Sequence, residues 1–337
     1  MPLEIIFIDA GQGDCTLIVY PDGSLTLVDC GCKKNKNIVS GQISAVFARK
    51  LANAKNQLKA LVLTHPDGDH YNLVASLITQ QKVQIATVYY GGSASDYSGL
   101  TSWLNNKDTN AVSFKQGYSS VAVVPGLSYD GQGTNNPNVL VRILAANAAD
   151  PKVKSDANPN SIVLLVSFLD VNIFLMGDST SETEIFLEMR LGTQLADLMK
   201  GCRSVLKAGH HGSNTSSTEA WLKRVQPQVV FVSSDTRTFG GVSIPRAAVI
   251  NRIFALNTLY DFGKTYEHYY VQYNDQTERH EQVSTSRAMY TTLHLLQFAQ
   301  NNTDFIAYGT SWYYGIDNQG NPAVVPACDW HNINKIY

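Results

Sequence analysis

The sequence has no run of about 18 apolar residues, so it predicts no membrane-spanning helix. It also lacks a strong surplus of either charge. Lys and Arg number 26 against 28 Asp and Glu, a net charge of −2, so no global basic field points to a nucleic-acid partner. Cysteine is scarce: Cys15, Cys30, Cys32, Cys202 and Cys328 form an odd, scattered set. Cys30-Gly-Cys32 resembles half of a metal or redox pair, yet no second pair follows at finger spacing. The expectation is therefore reduced, buried or incidental thiols in a cytoplasmic protein. The N-terminus carries no basic segment followed by an apolar one. Leu3-Glu-Ile-Ile-Phe-Ile8 runs into a glycine turn and reads as a first strand rather than a signal peptide. Repeats of solenoid period and low-complexity tracts are missing too.

What is present suits a large core. Hydrophobic residues make up 44% of the 337 positions and charged residues 16%. Residues 5–8, 15–20 and 24–28 are β-rich runs parted by Gly11-Gln-Gly13 and Pro21-Asp-Gly23. Residues 40–58 show helical spacing, with Ile43, Val46, Phe47 and Leu51 on one face. A short apolar run at 60–63 reads as a buried strand, 73–81 as a helix and 83–90 as a strand. Residues 91–138 are turn-rich, with a short strand expected at 120–124. Strands are expected again at 139–145, 161–169, 172–176, 204–208 and 229–233, and helices at 181–191, 217–225 and 245–256. Strand and helix thus alternate twice in similar order, with strands that are apolar at nearly every position. That pattern predicts an α/β (α+β) four-layer αββα sandwich: two mixed sheets face to face, helices outside.

Residues 257–337 are different, rich in aromatics such as Tyr269, Tyr270, Tyr273, Trp312, Tyr313 and Tyr314. We expect residues 1–256 to form the main domain and 257–337 a β-containing extension packing on or beside it. Its aromatics are expected to pack on a sheet rather than stack on bases. Its isolated histidines (His268, His280, His294, His331) are expected to be ordinary hydrogen-bonding residues.

Chemistry concentrates in Thr64-His65-Pro66-Asp67-Gly68-Asp69-His70. Four potential metal ligands lie within six residues, directly after a buried strand. A loop at a strand end can turn alternate side chains inward while the sheet holds its base, and Gly68 permits the bend. Imidazole nitrogen and carboxylate oxygen are donors that zinc, manganese or iron accept. An ordinary surface turn also uses Asp, Gly and His, but does not need two histidines flanking two aspartates.

This segment resembles the HxHxDH signature of the metallo-β-lactamase superfamily in its HxDxDH variant, characteristic of the hydrolase domain of ComEC-type competence proteins. Four further motifs follow in matching order. Phe7-Ile-Asp9-Ala-Gly11-Gln-Gly13-Asp14 resembles the opening "DVGQGD". Leu27-Val-Asp29-Cys-Gly31 resembles "IDTG", and Asn160-Ser161 with Leu175-Met-Gly177-Asp178 resembles "NNSLVL…LTGD". Lys207-Ala-Gly-His210-His211-Gly212-Ser213 resembles "LKxxHHGSxxS". The likeness covers residues 3–256.

Carried over residue by residue, the resemblance implies two divalent metal ions, zinc or manganese. His65 and Asp67 would hold one, Asp69, His70 and His210 the other, and Asp178 would bridge them. His210 is preferred over His211 because the superfamily's ligand follows a strand directly. His211 would then contact substrate or protonate the leaving group, and Asp69 would orient the attacking hydroxide that bridges the metals. Lys207, Ser213 and Asn160 fall on the substrate side. Three aspartates against two divalent ions leave one surplus positive charge, which a bridging hydroxide cancels, so an anionic diester is not repelled. The bland reading of Asp178 is a cap for the following helix, and that of Asp9 and Asp29 is turn hydrogen bonding beneath the site. Asp14 stays open.

Two departures stand out. Asn160 occupies a place where many superfamily members have a histidine, which leaves the first metal short of ligands. Phe239-Gly-Gly-Val-Ser-Ile-Pro245 lacks both histidines of the "YGHPHP" often found there. The expectation is a metal-dependent phosphodiesterase or nuclease acting on nucleic acid, a nucleotide or another anionic diester. The alternatives are a hydrolase of lactone, thioester or lactam bonds, and an inactive binding or regulatory module.

Overall fold

Strands that are apolar on both faces must be covered on both faces, and the chain does this with two sheets and three cores. The computed structural model describes residues 3–33, 50–52, 54–80, 82–131, 137–148, 157–235, 238–239, 242–261, 268–297, 305–309, 312–317 and 319–326. In chain order the first sheet takes β1 (Leu3–Phe7), β2 (Thr16–Val19), β3 (Leu25–Val28), β4 (Ala60–Leu63), β5 (Val88–Gly91) and β6 (Ala111–Phe114). The second takes β7 (Tyr118–Ser119), β8 (Val139–Ala146), β9 (Val163–Phe168), β10 (Val171–Leu175), β11 (Arg203–Lys207), β12 (Val229–Val232) and β13 (Met289–Thr291). The late strands β14 (Trp312–Ile316) and β15 (Pro322–Pro326) return to the first sheet, whose order is β15-β14-β1-β2-β3-β4-β5-β6. The second runs β13-β12-β11-β10-β9-β8-β7.

The middle core lies between the sheets, where Phe7, Val62, Ile143, Phe168 and Phe231 meet. The outer cores cover the opposite faces. Val74 and Leu77 of the helix Val74–Gln80 pack toward Leu27 and Leu61. Leu187, Leu191 and Leu195 of the helix Ser181–Met199, with Trp221 and Ile250 from the next two helices, pack toward Leu165 and Leu206. This is the four-layer αββα arrangement. No helix among the described residues is long and apolar enough to cross a membrane.

Three local expectations change. The helix expected over 181–191 continues to Met199, because Leu191 and Leu195 extend the buried stripe at four-residue spacing. Residues 120–124 make only an isolated bridge, Val123 to Arg142. Val123 is 37% exposed, so this run has no second surface to bury it as a strand. Of the helix expected over 40–58, residues 40–49 lie outside the described residues; residues 50–52 are helical, and Gln57–Leu58 pairs with Gln84–Ile85 instead.

The segment after residue 256 supplies strands to both sheets. β13 adds in parallel to β12, and β14 adds antiparallel to β1. Its aromatics enter the middle core: Tyr290 stacks on Phe231 at 5.3 Å and contacts Trp312 at 4.7 Å, while Trp312 Nε1 donates to Thr291 O at 2.8 Å. Phe231 also stacks on Phe7 at 4.2 Å, joining the two sheets. Phe231→Ala should therefore cost about 3–5 kcal/mol of stability. A urea midpoint within error of wild type would refute that coupling.

Candidate metal centre

One rule of topology gathers the site. β3 and β4 are parallel in the first sheet, and β10, β11 and β12 are parallel in the second. Their C-terminal ends carry Asp29, His65, Asp178, His211 and Ser233 respectively, so residues far apart in sequence meet at one edge of the sandwich. Asp14 joins them from the N-terminal side of β2, which runs antiparallel to β3.

Close backbone approach holds the loops together. A Cβ on Gly31 would lie 2.4 Å from the Asp69 carbonyl carbon, and one on Gly13 would lie 2.3 Å from Gly31 O. Only glycine fits at either place. The contact allows Asp14 N to donate to Asp69 O at 3.1 Å and Cys30 N to His70 O at 2.7 Å. After β4 the chain makes one short helical turn, Gly68–Tyr71. That turn buries Asp69 and His70 and leaves the Asp67 side chain 41% exposed.

Asp178 is the centre of the cluster. Its carboxylate oxygens lie 3.3 Å from His70 Nε2, 3.3 Å from His211 Nε2 and 3.8 Å from His65 Nε2. Asp69 Oδ2 is 3.8 Å from His211 Nε2, and Asp67 Oδ2 is 3.8 Å from His65 Nε2. The potential ligand atoms of His65, His70 and Asp178 lie within 4.8 Å of one another, as do those of Asp69, His70 and His211 and those of Asp14, Asp178 and His211. Asp178 does not cap the following helix, whose N-cap is Thr180. Its backbone N–H donates to Ser161 Oγ at 3.1 Å.

These residues suit a cation. Nε2 of His65, His70 and His211, and Oδ1 of Asp69 and Asp178, are buried with no hydrogen-bond partner among the described residues. Five orphaned donor atoms converging on one spot would be costly unless something fills it, since buried polar groups are normally paired. The electrostatics agree in sign. Burial pushes His70 toward the neutral form, but Asp178 and Asp29 overcome it and hold its pKa well above the usual histidine range. Burial would raise Asp178, yet His211 and His70 hold it well below the carboxylate range. The neighbouring His65 lowers Asp67. The carboxylates thus favour positive charge among them.

The other ring nitrogen of each buried histidine is fixed from behind. His70 Nδ1 is 2.8 Å from Asp29 Oδ2, and Asp29 also accepts from Thr64 N at 2.8 Å and Thr64 Oγ1 at 2.7 Å. Asp29 sits in the left-handed region at φ 58°, a conformation that aspartate tolerates better than most residues. It does the beneath-the-site bonding expected of it, and its bond fixes the orientation of the His70 ring. Asp9 makes a turn, its Oδ1 accepting from Gly11 N at 2.9 Å. Asp29→Ala should weaken metal affinity about 10–100-fold. Titration with manganese or zinc would show this, and an unchanged affinity would remove Asp29 from the account.

The two adjacent histidines are placed differently from the expectation. Both adopt left-handed backbone, His210 at φ 45° and His211 at φ 51°, a strained pair for residues with a Cβ. The double turn sends His211 inward, 1% exposed, with Nδ1 donating to Ser233 O at 2.9 Å and Nε2 facing Asp178. His210 instead turns to Thr215 Oγ1 at 2.7 Å and Asn158 Nδ2 at 3.3 Å. The geometry brings His211, and not His210, to the ligand cluster. The strand before them ends at Lys207, so position along the chain does not say which of the two rings turns inward.

Lys207 also departs from expectation. It is 3% exposed and ion-paired with Asp14 between the sheets, not presented to a phosphate. Ser213 is buried, and its Oγ accepts from Thr215 Oγ1 at 3.1 Å, shaping the loop around His210. Asn160 ends the turn Asn158–Asn160, and its carbonyl accepts from Asn147 N at 3.0 Å. Lys33, which the motifs do not single out, has its Nζ 3.1 Å from Asp69 Oδ2. No motif includes it; only its place two residues after Gly31 could have drawn attention. Cys15, Cys30 and Cys202 are in no disulfide among the described residues, and Cys328 lies outside them.

Residues 8–234 match the Metallo-beta-lactamase superfamily, and the chain belongs to that superfamily. Within it, the chain is similar to ComE operon protein 3 of Bacillus subtilis (strain 168), 25% identical over 241 residues that make up 68% of this chain and 28% of that protein. It is similar to Recombination protein 2 of Haemophilus influenzae (strain ATCC 51907 / DSM 11121 / KW20 / Rd) at 25% identity over 233 residues, 68% of this chain and 24% of the relative. The chain thus spans under a third of the length of these curated relatives. Among solved structures, the metallo-beta-lactamase fold protein YhfI from Bacillus subtilis aligns with a TM-score of 0.43 at 14% identity, covering 77% of this chain and 94% of that one.

Proposed function

We propose that this chain is a metal-dependent hydrolase of phosphodiester bonds. The observation that carries the reading is the set of buried, unpartnered donor atoms on His65, His70, His211, Asp69 and Asp178. His65 and Asp67 would hold one divalent ion, Asp69, His70 and His211 a second, and Asp178 would lie between them. Ions bound there supply Lewis acidity, easing deprotonation of a water and offsetting charge on the phosphoryl oxygens. Three carboxylates in the set make manganese a rival to zinc.

The remaining steps belong to the protein. The Asp69 carboxylate oxygen that does not hold a metal would accept from the attacking water and orient it toward phosphorus. His65, His70, Asp69, Asp178 and His211 are buried, which keeps bulk water from competing. Asp67 is the exposed member of the set, so substrate approaches from its side. The motif likeness to ComEC-type hydrolase domains favours a phosphodiester such as a nucleic acid or nucleotide over a carbonyl substrate. The scarce, scattered cysteines of the sequence fit a cytoplasmic setting.

The test offers bis-p-nitrophenyl phosphate and single-stranded DNA beside lactone and cephalosporin panels, with manganese or zinc added. Turnover of the diesters is expected. Turnover of the carbonyl panel alone would overturn the phosphodiesterase reading, and less than one equivalent of metal in metal-supplemented protein would point to an inactive module.

A further inference from the structure

Two lysines touch carboxylates of the centre, and burial separates them. Lys207 on Asp14 has a side chain only 4% exposed, whereas Lys33 on Asp69 is 31% exposed. A cation that meets an anionic substrate must be both close to the reacting atoms and reachable from solvent. Lys207 is close but enclosed. Lys33 satisfies both conditions: its Nζ is 3.1 Å from Asp69 Oδ2, and that oxygen is 3.8 Å from His211 Nε2.

The backbone beneath Lys33 is pinned. Lys33 N donates to Gln12 O at 2.8 Å. The preceding Cys32 is clamped by Asn72, which accepts from Cys32 N at 3.1 Å and donates to Cys32 O at 2.7 Å. Gly31, one residue earlier, is pressed against the backbone of Asp69 and His70. The stem of Lys33 therefore rises from a fixed base beside the cluster, while its ammonium, on a flexible four-carbon chain, can pass from a carboxylate to a phosphoryl oxygen nearby.

From this geometry we infer that Lys33 is the substrate-binding residue that holds the phosphoryl anion at the mouth of the centre, the part expected of Lys207. The inference rests on the two-metal hydrolase reading for the site but not on the phosphodiester being its natural substrate. Lys33→Gln removes the charge, and Lys33→Arg keeps it and serves as the conservative control.

Inorganic phosphate binding to the manganese-loaded full chain, followed by calorimetry, reads the contact without turnover. Loss of a charge-assisted hydrogen bond should weaken binding about 10–100-fold in Lys33→Gln. Lys33→Arg should stay within about threefold of wild type. In both variants the metal content should equal that of wild type, and with bis-p-nitrophenyl phosphate the Lys33→Gln change should appear in KM more than in kcat. Equal phosphate affinity in wild type and Lys33→Gln, or no phosphate binding by wild type, would overturn the assignment. So would a loss of metal in Lys33→Gln, which would make Lys33 a structural partner of Asp69. If Lys33 governs phosphate binding but only lactones are hydrolysed, the phosphodiesterase reading falls while this assignment stands.

Discussion

Asp178→Asn is expected to abolish metal-dependent turnover and to lower bound metal below that of wild type. The carboxylate faces His65, His70 and His211 within 3.8 Å, a position from which one side chain could serve two ions. Outer partners of metal ligands usually matter by about 10–100-fold. A carboxylate placed between both ions should exceed that range in kcat/KM. Asparagine keeps the shape, so a folding defect is not expected; near-wild-type thermal unfolding without metal would confirm that the loss is chemical. Full activity with two equivalents of metal in Asp178→Asn would sink the two-ion arrangement.

The second large effect separates two neighbouring histidines. His211→Ala should reduce metal content and lower kcat/KM more than about 100-fold, because it removes a buried donor facing Asp178 and Asp69. His210→Ala should retain metal. Its ring bonds Thr215 and Asn158, so its loss should loosen the loop before the helix Glu219–Val225 and cost about 1 kcal/mol of stability. Metal analysis on the two variants decides the matter, and the reverse pattern would restore the ligand role to His210.

Those two histidines also show where reading a sequence stops. The doublet itself is plain, but which member points inward depends on the backbone of both, and the flanking Gly209 and Gly212 lie close against Ser179 and Pro245, residues distant in the chain. Lys207 illustrates the same limit. Its position at a strand end suggests a phosphate ligand; its burial comes from Asp14, almost 200 residues earlier, arriving across the two sheets. Lys33 is the converse, an unremarkable lysine made conspicuous by its distance from Asp69.

Period and composition were better guides to the fold. Continuous apolar strands and amphipathic helices require covering layers, so the αββα order follows from local pattern. The aromatic tail did not reveal its destination. A strand's partner depends on which sheet edge is open, and β13 and β14 fill one edge in each sheet.

The sequence by itself singled out His65 to His70 as a set of potential metal ligands, since four donors in six residues after a buried strand admit few other uses. It also determined the superfamily, through five motifs in order. Tertiary structure alone decided that His211 stands in the cluster and His210 outside it, that Asp14 pairs with the buried Lys207, and that Lys33 stands partly exposed beside Asp69. The physical reason is common to all three. Ligand identity is written in side-chain chemistry, whereas direction and burial are set by contacts between strands remote in the chain, which no local pattern encodes.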